Sequence, residues 1–194
     1  MTASGTRRTT DGPTEGTTDG TTDGPAHDVP LRFRQAARAL LLDPDDHVLL
    51  VRFEFPTATM WALPGGGLDD GESVADGLRR ELFEELGLSD FELGPHVWNR
   101  EHVFPMMTGH DGQQDRIHLV RVDRFEPVPT IGWDALRAEH VHEIRWWSLD
   151  ELSRVSTDPD VRAGEVRFAP RRLAALVREL LTAGPPSIPI DTGV

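Results

Sequence analysis

The sequence predicts an α/β protein in which a mixed β-sheet is sandwiched between α-helices. Three observations carry this. Two apolar runs, residues 36–42 and 47–53, flank the turn residues Asp43, Pro44, Asp45 and Asp46, as a pair of strands would. Residues 73–87 place Val74, Leu78, Leu82 and Leu86 at every fourth position, the stripe of a helix packed on a core. Leu173, Leu176, Val177, Leu180 and Leu181 give a second such stripe near the C-terminus.

Taken in order, residues 1–30 are Thr, Gly, Asp and Pro in near-repeats, with little to bury, and are expected to be a disordered tail. Their Asp-Gly pairs lack the spacing and terminal glutamate of a calcium loop. A folded domain is expected over 31–183. After the first two strands, 56–60 is expected to be a loop and 61–63 a short strand. Gly65, Gly66 and Gly67 read as a glycine turn. Ser73 then suits a helix N-cap, with Asp76 three places on and Gly87 as the C-terminal stop. Residues 91–104 read as one or two strands, 106–114 as a loop and 116–125 as a strand. A short helix over 132–139 precedes a strand over 143–148. Ser148 and Glu151 form a capping box. Pro170 can begin the last helix, Gly184 and two prolines end it, and 184–194 is expected to be a tail.

Composition narrows the function. The chain has 194 residues, no cysteine and a net charge of −13. Residues 1–28 hold five acids and two arginines, so about −10 remains on the rest. That balance argues against DNA or long RNA as partner but not against a small phosphorylated substrate. All 20 basic residues are arginine, whose fork suits phosphate. No apolar run approaches a membrane span of about 18 residues, and no signal-peptide core is present, so a cytoplasmic protein is expected. The missing thiols agree with a reducing compartment.

The chemistry concentrates on the helix. At about 100° per residue, Glu81, Glu84 and Glu85 share an arc of about 100°. Carboxylates this close repel unless a cation neutralises them, and Mg2+ takes such oxygens together with phosphate oxygens. An ordinary solvated acidic face, countered by Arg79 and Arg80, is the alternative on periodicity alone. The spacing decides against it. Five residues separate Gly66 from Glu72, and seven separate Glu72 from Arg80; Glu81, Leu82, Glu84, Glu85, Gly87 and Leu88 complete the pattern. This resembles the box of the Nudix family at each of nine specified positions over 23 residues. Residues 61–65 resemble its lead-in and 143–152 a late strand and turn of many members, so the likeness covers roughly 33–182.

The resemblance implies the family's α/β/α layers and divalent-metal-dependent cleavage of a phosphoric anhydride. The substrate expected is a nucleoside diphosphate linked to another moiety, of nucleotide or nucleotide-sugar type. It implies Glu81, Glu84, Glu85 and a Gly65 carbonyl as ligands of Mg2+, with Mn2+ as the alternative. It implies structural roles for Glu72 and Arg80, and it allows a homodimer. The general base is expected among the box glutamates, then at Glu143, with Glu139 the other late acid. Candidate substrate contacts are Arg52 for phosphate, Trp61 for stacking, Gly66 for close backbone approach, and Arg116 on a segment that could border the cleft. Phe53 and Phe55 are further stacking candidates, and Arg100 and Asp115 stand on segments expected to border the cleft. His140 and His142 read as a polar loop entering a strand rather than a second metal pair. A non-catalytic nucleotide-binding regulatory module is the alternative function. An isomerase of the same fold would want a catalytic cysteine, which is lacking.

Overall fold

Strand β1 (Phe33–Leu42) is apolar on both faces along its second half, and the sheet is built outward from it. In the computed structural model, which describes residues 30–56, 58–103, 109–157 and 166–193, β1 pairs in parallel with β6 (Gly112–Arg121) along all ten residues. On its other side β1 forks. β2 (Val48–Phe55) meets it at Leu42 and Val48 only, and β4 (Gly65–Gly67) takes over opposite residues 36–38. β3 (Ala58–Ala62) and β7 (Val141–Trp147) both pair antiparallel with β2, and β8 (Arg167–Ala169) pairs in parallel with β3. β5 (His96–Val103) extends the sheet beyond β6, and β9 (Ile190–Asp191) lies on β5. The sheet is mixed, as expected.

Helices cover both faces. Helix α1 (Val74–Leu86) sets Leu78, Leu82 and Leu86 on Ala37, Ala39, Leu41 and Leu49. Helices α3 (Leu149–Thr157) and α4 (Leu173–Ala183) pack Leu152, Leu173, Leu176 and Val177 against Leu40, Leu42, Leu50 and Trp147. The short α2 (Trp133–Ala138) contributes Leu136 beneath Val51 and Val141. Alternation along β1 thus divides the core, with odd positions under α1 and even positions under α3 and α4.

Four expectations change. The three glycines are an extended strand rather than a turn, because β1 offers the free edge left by the fork. Residues 58–60 join β3 instead of a loop, and β6 starts at Gly112, not 116. The C-terminal segment is not all tail, since Ile190 and Asp191 pair with Trp98 and Asn99. Each of these segments is held by backbone pairing, which leaves little mark on side-chain periodicity. The expected disorder of the N-terminal tail and residues 104–108 lie outside the described residues. No helix among the described residues is long and apolar enough to cross a membrane.

Neighbouring residues of α1 test this packing. Leu82 is fully buried and Phe83 is 48% exposed. Leu82→Ala is expected to cost about 2–5 kcal/mol in urea unfolding. Phe83→Ala should stay within about 0.5 kcal/mol.

Candidate active site

The site is built where α1 lies against β4. Ser73 caps α1 by accepting the Asp76 N–H at 3.1 Å, and Gly87 closes it in the left-handed conformation at φ 71°. With Leu78, Leu82 and Leu86 directed to the sheet, the same rotation carries Glu81, Glu84 and Glu85 to the glycine strand.

Arg80 ties helix to loop. Its Nε and Nη2 donate to the two carboxylate oxygens of Glu72 at 3.0 and 2.9 Å, and Nη2 also donates to the Gly67 carbonyl at 3.0 Å. Nη1 donates to Glu81 at 2.8 Å and more weakly to Glu84 at 3.4 Å. The Arg80 hydrogen bonds, then the Asp69 amide, pull the Glu72 carboxyl down to a pKa of about 2. The same pairing raises the Arg80 pKa further.

Glu85 is in the opposite state. Its carboxylate is 5% exposed and accepts the Gly65 N–H at 2.8 Å. No arginine forms an ion pair with it among the described residues. Burial pushes its pKa up to about 7, against the lowering pull of Arg38 and the Gly65 amide. Burial also raises Glu81, with Arg80 opposing. Gly65 has φ 118°, and a Cβ there would collide with the Ala37 carbonyl. A Cβ on Gly66 would lie 2.5 Å from the Glu81 carboxylate, so a side chain there would displace that acid from the strand.

Gly65, Gly66, Glu81, Glu84 and Glu85 line one cleft of about 400 Å3. Arg34, Arg38 and Glu139 line it too, and these three also border an adjoining cleft of about 360 Å3 over β5 and β6. Arg38 Nη1 donates to the Leu63 carbonyl at 3.2 Å and to the Gly65 carbonyl, and its Nε is 3.5 Å from Asp115.

The donors fit a hard divalent cation. A buried carboxylate with a raised pKa and no ion-pair partner lacks the positive charge that such an ion supplies. Among the described residues, however, no three acidic or histidine side chains form a ready-made cage. Glu81 and Glu84 are turned to Arg80, Glu85 to the Gly65 amide, and the Gly65 carbonyl to Arg38. Holding a cation there requires these carboxylates to exchange partners.

Four expected contacts are not brought to either cleft. Arg52 pairs with Glu54 at 2.8 Å and Glu143 at 3.1 Å. It stands opposite Trp61 in the register of β2 and β3, while the next residue, Phe53, reaches the clefts. Trp61 is 5% exposed and packs edge-on to Trp147 in the core. Glu143 is held on β7 beside Arg52. Arg116 is exposed and donates to Gln35 at 3.3 Å, whereas its neighbour Asp115 faces in. Strand alternation accounts for all four. Arg100 and Asp115 do border the second cleft. His140 lies against Phe55 at a ring distance of 5.2 Å, and His142 is 3.7 Å from Glu54. Arg34 and Arg38 were not singled out; their i, i+4 spacing on β1, on one face, is the signal that could have found them.

An acid-lined cleft between a glycine strand and a capped helix, on a mixed sheet covered on both faces, defines the class as a layered α/β protein with its acids gathered at one sheet edge. The NUDIX domain profile matches residues 32–171, and the chain belongs to the Nudix family. An RNA pyrophosphohydrolase of Helicobacter pylori is 31% identical over 105 residues, 47% of this chain and 64% of that protein. A nucleoside triphosphatase, NudI, of Salmonella arizonae is 39% identical over 64 residues, 31% of this chain and 43% of that protein. The match therefore spans less than two thirds of these curated relatives. The MutT protein of Methanosarcina mazei has the same fold, with a TM-score of 0.54 at 18% identity, over 80% of this chain and 97% of that one.

The titration of Glu85 gives a signed expectation for the metal-free protein. Its pKa is about 7 folded against 4.5 for the ordinary carboxyl, so the folded state holds the extra proton between these values. Stability is then lost as pH rises through that window. Wild type is expected to melt lower at about pH 8 than at about pH 5, and Glu85→Gln should flatten that difference. Equal slopes in differential scanning calorimetry would show that Glu85 is not the group responsible.

Proposed function

We propose that the protein is a divalent-metal-dependent hydrolase that cleaves the phosphoric anhydride bond of a nucleoside diphosphate linked to another moiety, of nucleotide or nucleotide-sugar type. The supporting observation is the meeting of three helix glutamates, the glycine backbone and three arginines, Arg34, Arg38 and Arg80, in one cleft. Glu81, Glu84 and Glu85, with a glycine carbonyl, would hold Mg2+, or Mn2+ in its place. That ion supplies neutralisation of phosphate charge and polarisation of the bond to be cleaved.

The chain's own residues do the rest. Arg34 and Arg38 stand between the two clefts, where a diphosphate crossing from one to the other meets guanidinium donors. The backbone of Gly65 and Gly66 approaches without side-chain obstruction. Arg80 positions the acids: it donates to Glu81 and Glu84, which would hold the ion, while its bonds to Glu72 and Gly67 tie helix to loop and strand. Glu139, at the end of α2, lines both clefts and forms no ion pair among the described residues. It takes the role that the sequence offered to Glu143. As the water oxygen bonds to phosphorus, its proton passes to a carboxylate, Glu139 or a box glutamate. The anhydride oxygen leaves with the electron pair of the broken bond.

The Helicobacter relative bears the name of an enzyme acting on RNA. A chain with a net charge of −13 favours a small substrate, because a polyanion meets repulsion beyond the cleft. The carboxylates' engagement with Arg80 and Gly65 favours, as the second reading, a module that binds a nucleotide without turning it over.

Phosphate and pyrophosphate release is to be measured over nucleoside triphosphates, dinucleoside polyphosphates, ADP-ribose and nucleotide sugars, each with Mg2+, Mn2+ or EDTA. Turnover is expected with metal and not with EDTA, and is expected to disappear in Glu85→Gln. Glu139→Gln should lower kcat about hundredfold or more. Tight nucleotide binding with no turnover under any condition would establish the binding module instead.

A further inference from the structure

The second cleft has a floor and walls of different chemistry. Its walls are flat or apolar, with Phe53, Phe55, Met60 and His140 on one side. Its floor is a polar cluster on one face of the β5–β6 pair. Arg100 stands opposite Asp115 in the ladder, and Gln113 lies two residues from Asp115 on that same face. All three are at least nine-tenths buried.

The hydrogen bonds of this floor are unevenly used. Asp115 is the best supplied: it accepts from Arg100 Nη1 at 3.0 Å and from Gln113 Nε2 at 2.7 Å, and Arg38 Nε lies 3.5 Å away. Arg100 is not. Its Nε has no partner, and its Nη2 reaches His102 Nδ1 only at 3.4 Å. Gln113 spends its amide N–H on Asp115, and its carbonyl oxygen accepts no hydrogen bond among the described residues. The floor therefore has one charged donor and one acceptor in surplus. A buried guanidinium left short of acceptors is costly unless something supplies one. Asp115 already gives Arg100 a carboxylate partner at 3.0 Å, so a neutral oxygen can complete the remaining Arg100 donors without a further charge being buried.

We propose that this floor selects a ring carrying a lactam edge, a keto oxygen beside a ring N–H, with the oxygen on Arg100 and the N–H on the carbonyl of Gln113. Guanine, hypoxanthine, uracil and thymine carry that edge. Adenine and cytosine present an amino donor beside a ring acceptor, which is the reverse order. The flat walls receive the ring faces, and Arg34 and Arg38 stand between this ring and the anhydride over α1. This rests on the nucleotide site proposed above and adds its base selectivity, with Arg100 and Gln113 as the determinants.

The test uses equilibrium binding, which needs no hydrolysis. Titration calorimetry of the full chain in Mg2+ compares GMP, IMP, UMP and TMP with AMP and CMP. The keto set is expected to bind about ten- to hundred-fold tighter. GMP and IMP against UMP and TMP distinguish a purine from a pyrimidine source. Gln113→Met leaves the Arg100–Asp115 pair in place and should remove the preference; Arg100→Met should do the same, with folding of each checked by thermal melting. If Arg100→Met does not fold, wild type and Gln113→Met still decide. Equal binding of keto and amino nucleotides by wild type would overturn the proposal, as would an unchanged preference in Gln113→Met. A keto preference without turnover would leave it standing while the hydrolase reading fails. Turnover without base preference would do the reverse.

Discussion

Arg80 is the contact on which the site depends. One guanidinium spans a loop carboxylate, Glu72, a strand carbonyl, Gly67, and two helix carboxylates, Glu81 and Glu84. Four carboxylates crowd one end of α1 and its leading loop, and without this cation their repulsion would push helix and loop apart. The fork geometry matters, since a single ammonium could not take Glu72 in two parallel bonds and reach Gly67 as well. Glu85 is the exception that gives the cleft its chemistry, because it is buried beyond the reach of Arg80. Glu72, pulled down to about 2 by Arg80, and Glu85, pushed up to about 7 by burial, thus stand in opposite surroundings within one site.

The fork of β1 supplies the second constraint. Where β2 turns away after Val48, the edge of β1 is taken by a three-residue strand whose first position, Gly65, only glycine can fill this close to the Ala37 carbonyl. The even face of β1 is apolar at Leu40 and Leu42, under α3 and α4, and turns polar at Arg34 and Arg38. One face of one strand thus passes from core to cleft. The polar half borders Asp115 and Arg100 on one side and the glycine strand on the other, so both clefts share the same arginines.

The α1 region was legible in the sequence because everything in it is local. The cap at Ser73, the stop at Gly87 and the stripe of leucines lie within one helix, and fixed spacing brings Glu81, Glu84 and Glu85 to one arc. The pairing of Glu72 with Arg80 is nearly as local. The substrate side was not legible in this way. Arg52, Trp61, Arg116 and Glu143 have suitable chemistry, yet each lies on the wrong side of its strand, and a one-residue difference in phase reverses the face. Phe53 beside Arg52, and Asp115 beside Arg116, show how small that difference is.

By itself, then, the sequence determined the layered α/β architecture and the acidic helix face, which follow from periodicity within single elements, and it pointed to the family through the resemblance of one short motif. Only the tertiary structure decided which arginines meet the acids, that Glu139 rather than Glu143 borders the cleft, and that Arg100, Asp115 and Gln113 form one floor. Those residues come from β1, β5, β6 and the end of α2, and strand pairing between distant segments brings them together. Register of that kind is set by backbone hydrogen bonds and packing across the whole sheet, which no local pattern of side chains records.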